Sequence, residues 1–138
     1  MEKTFMKNET SDWLNSAKID LGMIDKVIDD EFYIPAIAFH AQQVVEKSFK
    51  AMIIENDLDL IKTHDLERLW NIIKSHIVLK FDLKMLKEID QVYTTSRYPG
   101  NVGLMPYGRP TLEVVQEFYE FAKDIYSQIE QTLTQTGN

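Results

Sequence analysis

The apolar residues of this chain recur at three- and four-residue steps in five segments, which is the spacing of helices that each bury one stripe. The first segment runs from Asp12 to Ile28, with Thr10 or Ser11 as its predicted N-cap. After a polar break, the second places Pro35 in its first turn, where proline is tolerated, and continues to about Glu55. No segment alternates between apolar and polar residues as a strand would, so the pattern predicts an all-α chain.

Three further helices follow, and each is preceded by a residue that can cap a helix. Thr63 or Asp65 precedes a short helix, and Asp82 opens the next, whose pattern ends at Ser96. Thr111 precedes the longest regular stripe, which runs nearly to the C-terminus. Short connections favour antiparallel neighbours, so we predict an up-and-down antiparallel bundle of four to five helices.

One connection, from residue 96 to residue 110, is long. It holds three of the five glycines and three of the four prolines, so its backbone is predicted to be irregular. Long connections inside a compact domain are uncommon and usually functional. We assign residues 1–138 to a single domain, with 1–9 as a flexible N-terminal extension and 134–138 as a frayed C-terminus.

Charge and composition narrow the class of function. The formal net charge is −7, with 22 acidic against 15 basic side chains, so the chain as a whole repels a phosphate backbone and contact with RNA or a nucleotide must be local. The absence of cysteine excludes disulfides and cysteine-ligated zinc. The start lacks the apolar run of a secretory signal, and no apolar stretch is long enough for a bilayer, so we predict a cytoplasmic protein without membrane contact.

The second helix has two distinct faces. One apolar arc is predicted to face the core and comprises Ile34, Ile37, Ala38, Ala41, Val45, Phe49, Met52 and Ile53. The opposite arc is predicted to be exposed and to meet a partner or ligand, and it carries His40, Gln43, Glu46, Lys47 and Lys50 with Phe39 and Tyr33 at its edges.

Three segments of the chain carry a family resemblance. Residues 38–51, Ala-Phe-His-Ala-Gln-Gln-Val-Val-Glu-Lys-Ser-Phe-Lys-Ala, resemble the signature helix of HEPN domains. Residues 63–66, Thr-His-Asp-Leu, are similar to the segment that opens the family's next helix, and Tyr93 followed by Arg97-Tyr98-Pro99 resembles the segment that closes the fourth. The order and spacing of the three also match, and they extend the resemblance over nearly the whole chain.

The resemblance implies a helical bundle that usually dimerises. Prokaryotic genes of this kind often lie beside one for a minimal nucleotidyltransferase, as the other half of a toxin and antitoxin pair. Many family members are metal-independent ribonucleases that carry an Arg followed a few residues later by a His. This sequence departs from that motif, because no histidine follows Arg97 or Arg109. The interpretation we favour is therefore a homodimeric binding or regulatory module that partners a minimal nucleotidyltransferase, with no cofactor and no metal site.

Two groups of candidate residues follow from these arguments. The candidates for binding a ligand or phosphate are Arg97, Tyr98, Arg109, His40, Gln43 and Lys47. The candidates for a dimer or partner interface are Tyr33, Phe39, Glu46, Lys50 and Tyr107.

Each of these residues also has an ordinary structural interpretation. Arg97 either binds a phosphate or caps the carbonyls at a helix end. Glu46 and Lys50 have the spacing of a helical ion pair, which we favour over acid–base chemistry as a solvated or intersubunit pair. We expect His40 to be a hydrogen bonder at the dimer interface, and His64 to bond the backbone at a helix terminus. Tyr93, Tyr98 and Tyr107 are expected to pack at the end of the bundle or at a dimer interface rather than to stack on a nucleotide base.

Two alternative functions stay open on the sequence. One is a metal-independent endoribonuclease that uses Arg97 from two subunits with a different base, such as His40 or a tyrosine. The other is a protein that holds a nucleotide or a small phosphate ligand beneath the connection from residue 96 to residue 110.

Overall fold

The computed structural model describes residues 6–96 and 110–135, and this part of the chain folds into five α-helices and one short 3-10 helix, without strands. The predicted all-α helical bundle is confirmed. The helices are α1 (Asn8–Val27), α2 (Ile34–Glu55), α3 (Leu66–Ile73), α4 (Leu83–Ser96) and α5 (Leu112–Thr134), with the 3-10 helix at Glu31–Tyr33. None of these helices combines the length and apolar composition that a membrane span requires.

The helix starts follow local capping signals in three of the predicted places. The side chain of Asp30 accepts a hydrogen bond from the backbone N–H of Phe32 and starts the 3-10 helix, after which Pro35 lies in the first turn of α2. Asp65 caps α3 by accepting from the N–H of Arg68, and Thr111 caps α5 by accepting from the N–H of Val114.

The start of α1 differs from the prediction. The helix begins at Asn8, within the stretch we assigned to a flexible extension, and its N-cap is Lys7, which makes no side-chain cap. Thr10 is not the cap because it lies inside the helix; it is fully buried, and its hydroxyl donates to Glu55 Oε1 at 2.9 Å. The backbone N–H of Lys7 also donates to Glu55, at 3.1 Å. These bonds tie the start of α1 to the end of α2, so the two helices run antiparallel.

Helix α2 lies at the centre of the bundle and contacts the other four α-helices. The predicted core arc is confirmed, since all of its members are buried except the half-buried Ile34. One side of the core is a row of aromatic rings that links α2 to α3 and α5. Phe49 lies 6.1 Å from Trp70, Trp70 lies 4.9 Å edge-on from Phe81, and Phe81 lies 6.1 Å from Phe121.

Candidate functional site

The arc of α2 that we predicted to be exposed is partly covered by neighbouring elements, and its polar residues are organised into two clusters. The seam cluster, between α1 and α2, comprises Asp20, His40 and Lys47. Asp20 Oδ1 lies 2.7 Å from His40 Nδ1, and Asp20 Oδ2 accepts from Lys47 Nζ at 2.7 Å. Asp20 itself is buried.

Asp20 is the site residue that sequence reasoning missed. It stands in the buried stripe of α1, three residues after Ala17 and four before Ile24, where an apolar side chain is the norm. A carboxylate at such a position is stable only if it is paired or hydrogen-bonded. A carboxylate in the apolar stripe of α1 is the sequence feature that could have identified Asp20. It predicts a hydrogen-bonding or ionic partner for Asp20 but does not identify the helix that provides this partner.

The core cluster comprises Gln42, Gln43, Glu46, Lys50 and His64, and Glu46 is its centre. Oε2 of Glu46 accepts from Lys50 Nζ at 2.8 Å. Oε1 lies 2.9 Å from His64 Nδ1 and accepts from Gln42 Nε2 at 3.1 Å. Gln42 also donates to the backbone carbonyl of His64, at 3.0 Å. The cluster therefore joins α2 to the segment that precedes α3.

The predicted exposure of Glu46 and Lys50 is wrong. Glu46 is 3% exposed and Lys50 is 9% exposed, and the ammonium of Lys50 lies 5.3 Å from the ring centre of Trp13 on α1. The Glu46–Lys50 ion pair is thus buried rather than solvated. Neighbouring elements cover more of the surface of α2 than the apolar arc alone predicts. The imidazole of His64 bonds the Glu46 carboxylate, which sequence reasoning did not anticipate.

The environment of Glu46 keeps it ionised. Burial by itself would raise the pKa of this carboxyl group. The hydrogen bonds from Lys50, His64 and Gln42, together with the charge of Lys50, outweigh burial and hold the pKa of Glu46 below its usual value. Every buried side-chain N or O atom in the described part of the chain has a hydrogen-bond partner.

Of the predicted ligand candidates, the structure describes three. His40 and Lys47 belong to the seam cluster, and Gln43 donates to Gln42 Oε1 at 2.7 Å in the core cluster. All three are half-buried. The other ligand candidates, Arg97, Tyr98 and Arg109, and the interface candidate Tyr107 lie outside the described residues.

Apolar side chains flank the seam cluster on the surface of α1 and α2. Ile19 is 64% exposed and Met23 is 48% exposed on α1, while Phe39 is 40% exposed on α2. Because Asp20 contacts His40 across antiparallel helices, Ile19 and Met23 lie on the same side of the seam as Phe39. We call this surface the α1–α2 face, and the predicted interface residue Phe39 belongs to it. The other predicted aromatic, Tyr33, is 39% exposed in the 3-10 helix before α2.

Two clefts on the described surface are lined by residues outside both clusters. One, of about 690 Å³, runs between α4 and α5 and is lined by Met85, Glu113, Gln116, Glu117, Glu120 and Phe121. Another, of about 400 Å³, runs between α1 and α5 and includes Gly22, Tyr119 and Tyr126. Within residues 6–96 and 110–135, no three His, Asp or Glu side chains are arranged to hold a metal ion.

Comparisons with known proteins agree on the family and the fold. The profile of the HEPN domain matches residues 10–132. The crystal structure of an archaeal HEPN homologue superimposes with a TM-score of 0.64 at 21% sequence identity, over 96% of this chain and 99% of that one. No curated protein matches the sequence.

Proposed function

The chain belongs to the HEPN family, and from that premise we propose that it is a binding and regulatory module that acts as a homodimer. One observation carries the proposal. The described polar residues of the signature helix are engaged in bonds within the chain, whereas the apolar residues beside them face solvent on the α1–α2 face. An exposed apolar surface of this kind favours binding to another protein chain over a catalytic role.

The α1–α2 face has the composition of an interface. Fully burying an exposed Ile, Met or Phe side chain is worth roughly 1.5–3 kcal/mol each, before the cost of association is subtracted. A two-fold dimer would pair this face with its own copy.

The second partner that we propose is a separately encoded minimal nucleotidyltransferase. The choice of this class of protein rests on the family resemblance. The net charge of −7 favours a protein with a basic surface over a nucleic acid. Among the described residues, acidic side chains such as Glu113, Glu117 and Glu120 line the cleft between α4 and α5, and they provide charge that a basic partner surface would complement.

Light scattering coupled to gel filtration tests the dimer. We expect the wild-type protein to have the mass of two chains, and Met23→Lys to have the mass of one, because the lysine would place two like charges in the middle of the interface. The matched control is Val78→Lys, since Val78 is 90% exposed but lies between α3 and α4, away from the α1–α2 face. A wild-type mass of one chain at every concentration would refute the proposal.

The ribonuclease alternative predicts a different result. Incubating an excess of the protein with mixed RNA should leave the RNA intact if the chain is a regulatory module. Cleavage by the wild type that is lost in Arg97→Ala would instead establish an enzyme and overturn the regulatory assignment.

A further inference from the structure

The cleft between α1 and α5, here called the α1–α5 cleft, has the size of a small-molecule site. Its volume of about 400 Å³ falls within the range of roughly 300–1,000 Å³ that such sites occupy. Tyr119 and Tyr126, two turns apart, line it from α5, and Leu21 and Gly22 line it from α1. A Cβ added at Gly22 would meet no atom within 4 Å, so open space lies beside this residue.

The surface inside the α1–α5 cleft is mostly apolar, although two tyrosines line it. Their hydroxyls are engaged: Tyr119 donates to Asp25 Oδ1 at 3.4 Å, and Tyr126 donates to Glu130 Oε2 at 3.1 Å. Burial is the largest cause that raises the pKa of Tyr119 and that raises the pKa of Tyr126 to about 12, and the charges of Asp25 and Glu130 act in the same direction. Both phenols therefore stay neutral near neutral pH, and their rings offer a ligand apolar contact.

The charges that line the α1–α5 cleft differ in sign from the charge of the whole chain. Lys18 of α1 and Lys123 of α5 both line it, and the ammonium of Lys123 lies 5.6 Å from the ring centre of Tyr119. Within residues 6–96 and 110–135, neither lysine forms an ion pair. Asp25 is the acidic residue of the lining, so two ammonium groups and one carboxylate leave a local net charge of +1, against −7 for the chain.

We propose that the α1–α5 cleft binds a small organic monoanion, in which an aromatic or aliphatic body carries one carboxylate. The body lies against Leu21 and the two tyrosine rings, and the carboxylate accepts hydrogen bonds from Lys18 and Lys123. The local charge of +1 favours a ligand with one negative charge over a ligand with several. This site goes beyond the proposed function, because neither the dimer nor a second protein is needed to form it.

Competition for a fluorescent dye tests the chemistry of the ligand. Anilinonaphthalene sulfonate, an aromatic monoanion, should bind the folded wild type with one dye per chain, and naphthoate should displace it. Naphthylmethylammonium has the same apolar body with a positive charge and should bind at least about tenfold more weakly, because attraction to the lysines becomes repulsion. Inorganic phosphate, which has no apolar body, should leave the dye bound. Absence of dye binding, or equal displacement by the two naphthyl compounds, would refute the proposal.

Substitutions in the cleft test its position. Gly22→Leu places a side chain in the open space and should weaken naphthoate binding at least about tenfold. Its stability in urea should not fall, because leucine favours a helix more than glycine does. Lys18→Gln and Lys123→Gln should each weaken binding about two- to fivefold, as expected for exposed ionic contacts. The matched control is Lys84→Gln on the exposed surface of α4, which should bind naphthoate like the wild type. Unchanged binding by Gly22→Leu would place the ligand elsewhere and contradict the proposal.

NMR of the backbone amides gives a second test on the unmodified protein, independent of whether the variants fold. Addition of naphthoate should shift the amide resonances of Gly22, Lys123 and Ser127, which line the cleft. Shifts confined to the α1–α2 face, or to the cleft between α4 and α5, would overturn the assignment of the ligand to the α1–α5 cleft. The result does not depend on whether the protein is a dimer, so it can fail or succeed separately from the proposed function.

Discussion

The seam cluster and the core cluster place charged groups on the same helix, yet they differ in depth and in what they join. In the seam cluster, one carboxylate from α1 meets two groups of α2 that keep about a fifth of their side-chain surface exposed. In the core cluster, the carboxylate and the lysine both belong to α2 and are almost enclosed. The seam cluster sets how α1 lies along α2, whereas the core cluster anchors the segment before α3.

The difference in depth decides what each cluster contributes. Assembling a buried ion pair gains little net free energy, because the desolvation of both charges offsets their attraction. Breaking such a pair is costly, since the remaining charge stays buried without compensation. The core cluster should therefore respond to single substitutions more strongly than the seam cluster, where water can reach the remaining groups.

The largest expected effect follows from Glu46→Gln. This change preserves the shape of the side chain but leaves the buried Lys50 ammonium without its carboxylate, so we expect a loss of about 3–5 kcal/mol in the free energy of unfolding. Urea denaturation measures it. The matched control is Glu117→Gln on the exposed face of α5, which should change stability by no more than about 0.5 kcal/mol. Equal losses in the two variants would show that the core cluster has no special role.

An intermediate effect is expected for Asp20→Asn in the seam cluster. Asparagine can still accept one hydrogen bond but cannot pair with Lys47, whose ammonium can turn to solvent, so we expect a loss of about 1–3 kcal/mol. Asp12→Asn, on the exposed side of the same helix, serves as the control. A loss larger than that of Glu46→Gln, measured under the same conditions, would reverse the ranking of the two clusters.

The smallest expected effects follow from substitution of His40 in the seam cluster and His64 in the core cluster. The His40 side chain is 21% exposed and the His64 side chain is 53% exposed. We expect His40→Ala to lower the free energy of unfolding by roughly 1 kcal/mol and His64→Ala by less, because exposed interactions contribute little. Chemical denaturation of both variants in parallel measures the difference, and a costlier His64→Ala would contradict the role that we give to depth.

Much of the helical framework could be predicted because its signals are local. Pro35 and the polar break before it mark the start of α2, Asp65 marks α3, and Thr111 marks α5. Each of these residues acts on backbone groups within a turn of itself, so neighbouring sequence is sufficient to identify it. Thr10 is the instructive failure, since it has the chemistry of a cap but bonds Glu55 on another helix.

The candidate site was less predictable, because its partners are distant in sequence. Helical periodicity groups the polar residues of α2 on one arc, but their burial depends on α1 and on the segment before α3. Asp20 and His40 are 20 residues apart, and Glu46 and His64 are 18 residues apart. The periodicity of one helix predicts which of its residues share a face. It does not predict which of those faces the neighbouring helices and loops will bury.

The sequence by itself determined the helical class, the starts of α2, α3 and α5 and the HEPN membership, since these depend on spacing, caps and ordered motifs along the chain. Only the tertiary structure decided that Glu46 and Lys50 are internal and that Ile19 and Met23 are exposed beside Phe39. It also brought the Asp90 carboxyl group of α4 to the backbone N–H of Leu66 at the start of α3. The physical reason is that burial, pairing and pKa are properties of the groups that surround a side chain, and packing between helices chooses those groups.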